Sequence, residues 1–331
     1  MTAPKADLPL LEVRNLRTWF TSEGRVVRAV DGVSFHLDPG EALGIVGESG
    51  CGKTVTSLSI MGLVPQPAGR IMPGSSIRFR GAELTELSTR RLRRLRGTEI
   101  AMIFQEPMTS LNPVYTVGSQ LLEAVRRSGG VGQSRRQATR KGVELLQEVG
   151  IGDPERRFHQ FPHQLSGGLR QRVMIAMALA GEPSLLIADE PTSALDVTVQ
   201  AQILELLHDL RRSRGMSLLL ISHDLEVVGE VCDRVVVLYA GEAMEVGSLP
   251  QVFRQPAHPY TRGLVGALPR GRGRLGGLEP IPGSVPKPIG PRSGCPFSPR
   301  CPDAEARCWV QLPPLFIVND ERWSRCWLEA E

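Results

Sequence analysis

The most informative segment of the sequence is Gly47-Glu-Ser-Gly-Cys-Gly-Lys-Thr54. It follows Glu41-Ala-Leu-Gly-Ile-Val46, an apolar run typical of a buried strand, and leads into a helical pattern from Lys53 to Met61. The pattern G-x-x-x-x-G-K-[ST], placed between a strand and a helix, is that of a loop whose backbone N–H groups bind phosphate. We therefore expect an α/β fold built around a phosphate-binding loop.

Each part of this loop has an expected role. The glycines allow the backbone to wrap closely around phosphate groups. Lys53 is expected to reach the β- and γ-phosphates, and Thr54 to supply a hydroxyl to Mg²⁺. The predicted nucleotide-binding residues of the loop are Gly47, Glu48, Ser49, Gly50, Cys51, Gly52, Lys53 and Thr54.

Two carboxylates follow a second apolar run, Leu185-Leu-Ile-Ala-Asp-Glu190. Asp189 is expected to organise the Mg²⁺ shell, and Glu190 to act as the general base on the attacking water. An acidic pair after a strand is weak evidence by itself. Together with the glycine loop it predicts a nucleoside triphosphatase.

The organisation of the chain favours one main core with an appendage. The chain has 331 residues, of which 41% are hydrophobic and 22% are charged, as in ordinary globular proteins. Alternating strand and helix patterns predict a largely parallel sheet, with an antiparallel edge near the N-terminus and a helical subdomain at about 111–180. From residue 256 the sequence becomes rich in Pro and Gly. We predict a nucleotide-binding domain at 1–255 and a C-terminal extension at 256–331.

Composition also limits where in the cell the protein is expected and which partners it is expected to bind. The longest apolar runs fall short of the roughly 20 residues that a spanning helix needs, and the N-terminus lacks a secretory signal pattern. The chain is therefore expected to stay in the cytosol. The net charge of +4 is small, and the arginine clusters near Arg90–Arg96 are read as solvated helix faces rather than a nucleic-acid surface.

The last part of the sequence contains a group of cysteines. Cys51 and Cys232 are isolated, whereas the remaining four lie close together near the C-terminus. In a reducing compartment such clustering predicts a metal site before disulfides. Four thiolates can hold a [4Fe–4S] cluster or Zn²⁺, and the gaps between these are unlike the short pairs common at zinc sites. The predicted ligands are Cys295, Cys301, Cys308 and Cys326.

Leu165-Ser-Gly-Gly-Leu-Arg-Gln-Arg172 resembles the signature motif of the ABC ATPase family, with Leu169 where many members carry Gln. The resemblance implies an ABC-type nucleotide-binding domain: a RecA-like parallel core, an antiparallel β edge and a helical subdomain. It implies that Ser166, Gly167 and Gly168 close on the γ-phosphate held by an opposite subunit. A helix capped by Ser166 could supply this second anion site.

Further positions are assigned by the same resemblance. Gln105 is similar to the Q-loop glutamine, which contacts Mg²⁺ and water and faces the membrane partner, and Asp196 to the D-loop aspartate. His223 resembles the switch histidine at the γ-phosphate. Phe20 is a candidate for stacking on adenine, although an edge-strand aromatic with a packing role is nearly as good an interpretation.

Five motifs narrow the resemblance to the ATPase subunits of peptide importers, the dipeptide and oligopeptide permease type. They are Gly47–Thr54, Phe104–Pro113, Ala188–Val197, His258-Pro-Tyr-Thr261 and Gly294-Cys-Pro-Phe-Ser-Pro-Arg-Cys-Pro302. As cofactors the resemblance implies ATP, Mg²⁺ and a [4Fe–4S] cluster on the cysteine tail, with Zn²⁺ as the alternative. As partners it implies a second ABC ATPase in a heterodimer, two integral-membrane permease subunits and an extracytoplasmic substrate-binding protein. It places the chain peripherally, on the cytoplasmic face of the inner membrane.

Two other functions were weighed against peptide import. One is a soluble ABC ATPase that acts on nucleic acid in repair or translation, which usually has two cassettes, large insertions or coiled coils; none of these is visible in the sequence. The other is import of nickel or another non-peptide solute by a related system. A purely structural subunit conflicts with the intact set Lys53, Asp189, Glu190 and His223.

Overall fold

The computed structural model describes residues 8–105, 110–128, 134–193, 195–268, 281–286, 289–290, 292–319 and 321–330. The chain divides into two compact units. The first unit comprises Met1–Asp38, Ala42–Glu86 and Ser222–Glu331, and the second comprises Pro39–Glu41 and Leu87–Ile221. None of the helices in the described ranges combines the length and apolar character that crossing a bilayer requires.

The first unit begins with an antiparallel sheet. Its long hairpin joins β1 (Leu11–Ser22) to β2 (Arg25–Leu37), and β4 (Gly69–Ile71), β5 (Ser76–Phe79) and β6 (Ala82–Glu83) complete it. The strand order is β2-β1-β5-β6, with β4 also paired to β1. The predicted antiparallel edge is confirmed. Bulges let the β1–β2 pairing continue through polar stretches of both strands.

A second group of strands in the first unit carries the glycine loop. β3 (Ala42–Val46) is fully buried and pairs in parallel with β10 (Arg234–Tyr239). Antiparallel pairing then extends this group through β11 (Glu242–Ser248) and β13 (Arg322–Ser324) to β12 (Phe316–Asn319). The helices of this unit are α1 (Lys53–Ile60), α8 (Leu225–Val231), α9 (Leu249–Arg254), α10 (Pro259–Gly266) and α11 (Ala306–Val310).

The second unit contains three parallel strands. β8 (Leu185–Asp189) lies between β7 (Ile100–Ile103) and β9 (Ser217–Ser222) and pairs in parallel with both. All residues of β8 and β9 are buried, which explains why their sequences are continuous apolar runs rather than alternating ones. The predicted α/β class with parallel strands is confirmed.

Helices supply the rest of the second unit. They are α2 (Thr89–Leu95), α3 (Val117–Ser128), α4 (Arg135–Glu148), α5 (Pro154–Phe158), α6 (Gly167–Leu179) and α7 (Val197–Arg214). Helices α3 to α6 pack on one another. Helix α4 begins at a capping box formed by Ser134 and Gln137, and Gly150, at φ +72°, follows its end. The predicted domain boundaries stay predictions.

Candidate nucleotide site

The loop Gly47–Thr54, called the phosphate loop below, requires glycine at its two most crowded points. Gly47 has φ +152°, and a Cβ there would lie 2.1 Å from the carbonyl oxygen of Leu238 in β10. Gly52 has φ +104°, and a Cβ there would lie 2.3 Å from the carbonyl oxygen of Ala29 in β2. Any side chain at either position would push the loop out of place.

Lys53 begins α1 and turns back across the loop. Its side chain is 5% exposed, and its Nζ donates to the carbonyl oxygens of Gly47 at 2.7 Å and Glu48 at 3.1 Å. These acceptors are uncharged carbonyl oxygens, so they do not offset the positive charge of Nζ, which can pair with an anion held by the loop. Burial raises the pKa of the neighbouring Cys51 thiol, which makes that side chain a neutral packing group.

The acidic pair lies at the end of β8 in the second unit. Asp189 is 1% exposed. Glu190 adopts a left-handed φ of +45°, its N–H donates to the Ile221 carbonyl at 2.8 Å, and its Oε2 accepts from Nε2 of Gln105 at 2.9 Å. A non-glycine residue in this conformation costs free energy and is characteristic of functional sites. The structure thus brings together two of the predicted catalytic residues, the predicted base and the Q-loop amide.

The signature segment begins α6. Ser166 is exposed and caps the helix, its hydroxyl accepting from the backbone N–H of Leu169 at 3.4 Å. Gly168 lies against α7, because a Cβ there would come within 2.6 Å of the Val199 Cγ1. The helix start is therefore capped, exposed and fixed by packing, as an anion-binding helix terminus needs to be.

The D-loop and switch positions also precede helices. Asp196 caps α7 by accepting from the N–H of Val199 at 3.0 Å. Ala194, within the predicted D-loop motif, lies outside the described residues. His223 is exposed directly after β9, and the next residue, Asp224, caps α8.

Phe20 lies in β1, half-buried and paired with Val27. A Cβ on Gly69 would come within 2.6 Å of the Phe20 ring, so the ring packs on the backbone of the neighbouring strand β4. Its role in stacking on adenine stays a prediction.

The residues predicted for Mg²⁺ fit that ion chemically. Thr54, Gln105 and Asp189 offer hydroxyl, amide and carboxylate oxygens, which are the hard ligands that Mg²⁺ prefers. Thr54 lies in the first turn of α1 in the first unit, whereas Gln105 and Asp189 lie after and at the end of strands of the second.

All four C-terminal cysteines line one cavity of about 20 Å³, here called the cysteine cavity. Burial raises the pKa of Cys295 to about 12 and that of Cys326 to about 11. The volume accommodates about one water molecule, far less than four irons and four sulfides. In the part of the chain that the structure describes, no three His, Cys, Asp or Glu side chains form a group that could hold a metal ion. The arrangement therefore does not support the predicted [4Fe–4S] cluster.

Two residues that contact the phosphate loop were not predicted from the sequence to do so. The backbone N–H of Glu48 donates to the Tyr260 hydroxyl at 3.0 Å, and Arg300 lies 3.0 Å from both carboxylate oxygens of Glu48. Both lie in motifs that the sequence analysis singled out. Their separation from the loop by 212 and 252 residues left no local pattern from which the contacts could be read.

Known proteins are similar to this chain over nearly its whole length. Residues 30–193 match the family described as ABC transporter, and residues 244–308 match the oligopeptide/dipeptide transporter C-terminal region. A probable peptide ABC transporter ATP-binding protein of Sinorhizobium fredii is 53% identical, over 99% of this chain and 97% of its own. The oligopeptide transport ATP-binding protein AppD of Bacillus subtilis is 49% identical, over 97% of each.

The solved structures agree as well. The dimeric ATP-binding cassette MJ0796 bound to ADP and Pi has a TM-score of 0.63 and 25% identity, covering 72% of this chain and 98% of that one. The fold, the phosphate loop and the signature helix are thus all consistent with an ABC ATPase. The chain belongs to the ATPase subunits of ABC transporters, in the group that has the oligopeptide/dipeptide transporter C-terminal region.

Proposed function

We propose that this ATPase powers the import of di- and oligopeptides across the cytoplasmic membrane, from a peripheral position on its cytoplasmic face. The observation that carries the proposal is the match of residues 244–308 to the oligopeptide/dipeptide transporter C-terminal region, on a chain that has the ATPase residues as well. Relatives named as peptide or oligopeptide transport ATP-binding proteins cover nearly the whole chain, which supports it.

The proposed mechanism assigns each step to a side chain. Lys53 and the loop amides hold the β- and γ-phosphates, and Thr54 and Asp189 would hold Mg²⁺, which neutralises charge on the phosphates. Glu190, oriented by Gln105, accepts the proton of the attacking water, and His223 contacts the γ-phosphate. ATP binding drives movement because the closed state binds ATP more tightly than the open state does.

We propose that a second ATPase subunit completes the site, as a paralogue in a heterodimer. Ser166, Gly167 and Gly168 present the start of α6, and Ser166 and Gly167 are exposed there. An exposed helix N-terminus is ready to receive phosphate held by another chain. The dimeric state of the related cassette MJ0796 is further support.

We propose that two membrane-embedded permease subunits dock beside Gln105, and that an extracytoplasmic binding protein delivers the peptide to them. Three large apolar side chains close to Gln105 in the sequence are exposed, Phe104 by 43%, Val114 by 70% and Tyr115 by 56%. Exposed apolar groups of this kind are typical of protein interfaces. Residues 106–109 of the same motif lie outside the described residues.

Uptake measured in cells tests the proposed transport function directly. A strain that lacks this gene should lose uptake of a radiolabelled dipeptide, and the wild-type gene should restore it. Lys53→Ala should fail to restore it, whereas Lys141→Ala, a surface change on α4, should succeed. Unchanged dipeptide uptake in the deletion strain, or a loss of ⁶³Ni²⁺ uptake in its place, would overturn the peptide assignment.

We further propose that the four thiols are metal ligands, with [4Fe–4S] before Zn²⁺. All four thiols line one cavity, which supports a shared set of ligands. Metal analysis of the purified protein tests the proposal. Anaerobically purified protein should contain about four irons and four sulfides per chain. Cys301→Ser should lose them and Cys232→Ser, at a buried isolated cysteine, should keep them. Stoichiometric zinc would identify the alternative, and metal-free protein would refute both.

A further inference from the structure

Glu48 is held through all of its polar groups, and the contacts to its backbone N–H and to its carboxylate come from the C-terminal part of the chain. Its backbone N–H donates to the hydroxyl of Tyr260 in α10 at 3.0 Å, and its carbonyl accepts from Lys53 at 3.1 Å. Its two carboxylate oxygens each lie 3.0 Å from Nη1 of Arg300. All of these residues belong to the first unit.

Arg300 is itself tightly fixed. Its side chain is 6% exposed, its Nε donates to the Pro282 carbonyl at 2.7 Å, and its Nη2 donates to the Ile281 carbonyl at 3.1 Å. Nη1 also donates to the Tyr239 hydroxyl at 3.2 Å. A buried guanidinium needs a counterion, and here that counterion is Glu48.

An aromatic cluster anchors both contacts to the core. Phe297, three residues before Arg300, is 1% exposed, and its ring centroid lies 5.3 Å from those of Tyr239 and Tyr260. Tyr239 and Tyr260 in turn lie edge to face at 4.6 Å. The positions of Tyr260 and Arg300 are therefore set by packing rather than by the loop that they contact.

The Arg300–Glu48 pair also removes an electrostatic conflict. Glu48 places a carboxylate inside a loop that receives the phosphates of ATP, and like charges at short range disfavour binding. Arg300 lies against that carboxylate and neutralises it.

We infer that Arg300 and Tyr260 are positioning residues of the ATPase: they hold Glu48 in place, and Arg300 keeps its charge from weakening ATP binding. The C-terminal segment is then part of the nucleotide site as well as the segment that distinguishes this group of transporters. The inference rests on the ATP-binding role of the phosphate loop given above.

Charge substitutions in the full-length protein test the inference. Arg300→Ala should raise the Kd and KM for ATP about tenfold or more, because an unpaired Glu48 then faces the phosphates. The kcat should stay within about twofold, since the repulsion acts on ground state and transition state alike. Arg262→Ala, which breaks an exposed ion pair with Asp303 in the same segment, is the matched control and should change neither constant.

The double variant Glu48→Gln/Arg300→Ala distinguishes the effect of the unneutralised Glu48 charge from the effect of losing the structural contacts of Arg300. Removing the carboxylate should return the Kd to within about threefold of that of Glu48→Gln alone, because no charge is left to be neutralised. Tyr260→Phe should weaken ATP binding too, since the Glu48 N–H loses its acceptor.

Three results would overturn the inference: an unchanged ATP affinity in Arg300→Ala, no recovery in the double variant, or a fall of kcat and the unfolding temperature together. The wild-type protein and Lys53→Ala are titrated alongside. If the wild type binds ATP and Lys53→Ala does not, the assigned role of the loop stands whatever Arg300→Ala does.

Discussion

Burial changes the acid–base behaviour of single residues outside the nucleotide site. Glu242, at the start of β11, is 3% exposed and lies 3.6 Å from Nε of Arg325 and 4.0 Å from Nη1 of Arg292. Loss of hydration raises the pKa of its carboxyl group to about 7, and the two arginines only partly oppose the increase. Folding therefore favours the protonated, neutral form of the Glu242 carboxyl group.

A pH-dependent stability follows from this shift. The pKa of Glu242 is higher in the folded chain than its ordinary value of 4.5, so its contribution to stability is complete below pH 4.5 and is lost as the pH rises through 7. The free energy of unfolding of Glu242→Gln, relative to that of the wild type, should therefore increase between pH 5 and pH 8, by about 3 kcal/mol at most. Urea unfolding of both proteins at the two pH values measures the gain.

Glu230→Gln, at an exposed position of α8, is the control for that experiment and should follow the wild type at both pH values. A difference between Glu242→Gln and the wild type that is the same at pH 5 and pH 8 would contradict the raised pKa of Glu242.

At the scale of elements, one buried carboxylate joins three pieces of the first unit. Glu245 in β11 is fully buried and accepts from the backbone N–H groups of Ala257 and His258, just before α10, at 3.1 and 2.9 Å. It also accepts from Arg322 in β13, at 3.0 Å to Nε and 2.6 Å to Nη2. The start of α10, which carries Tyr260, is thus tied to the strands.

Removing that carboxylate should be costly. Glu245→Ala leaves a buried guanidinium and two backbone donors without their acceptor, and we expect a loss of about 3–5 kcal/mol in the free energy of unfolding. Chemical denaturation measures it. Glu321→Ala changes the exposed neighbour of Arg322 and should stay within about 0.5 kcal/mol of the wild type. A loss below about 1 kcal/mol for Glu245→Ala would show that the three pieces are held by other contacts.

Elements whose signals are local were predictable from sequence. The phosphate loop, β8, β9 and α7 combine apolar runs with caps, and Gly215 ends α7 in the left-handed conformation, as expected from the sequence. The extent of β1 and β2 was not predictable from the sequence. Polar residues and bulges interrupt the apolar–polar alternation there, while the pairing of the hairpin continues.

For the whole molecule, the sequence predicts the residues of a nucleotide site but not the contacts that support them. Gln105, Asp189 and Glu190 were assigned from motifs, and the structure places the Gln105 amide on the Glu190 carboxylate. The contacts of Tyr260 and Arg300 with Glu48 depend on how distant segments pack, which no local pattern encodes. The small size of the cysteine cavity likewise depends on packing rather than on cysteine spacing.

Phosphate release by the full-length chain tests whether it is an ATPase with Glu190 as its general base. Wild-type protein with MgATP should release phosphate, and Glu190→Gln should do so about 10²- to 10⁴-fold more slowly because the general base is lost. ATP affinity should be kept, and Glu205→Gln, at an exposed position of α7, should behave as the wild type. Wild-type protein that fails to bind ATP, or Glu190→Gln that hydrolyses it at the wild-type rate, would contradict the account.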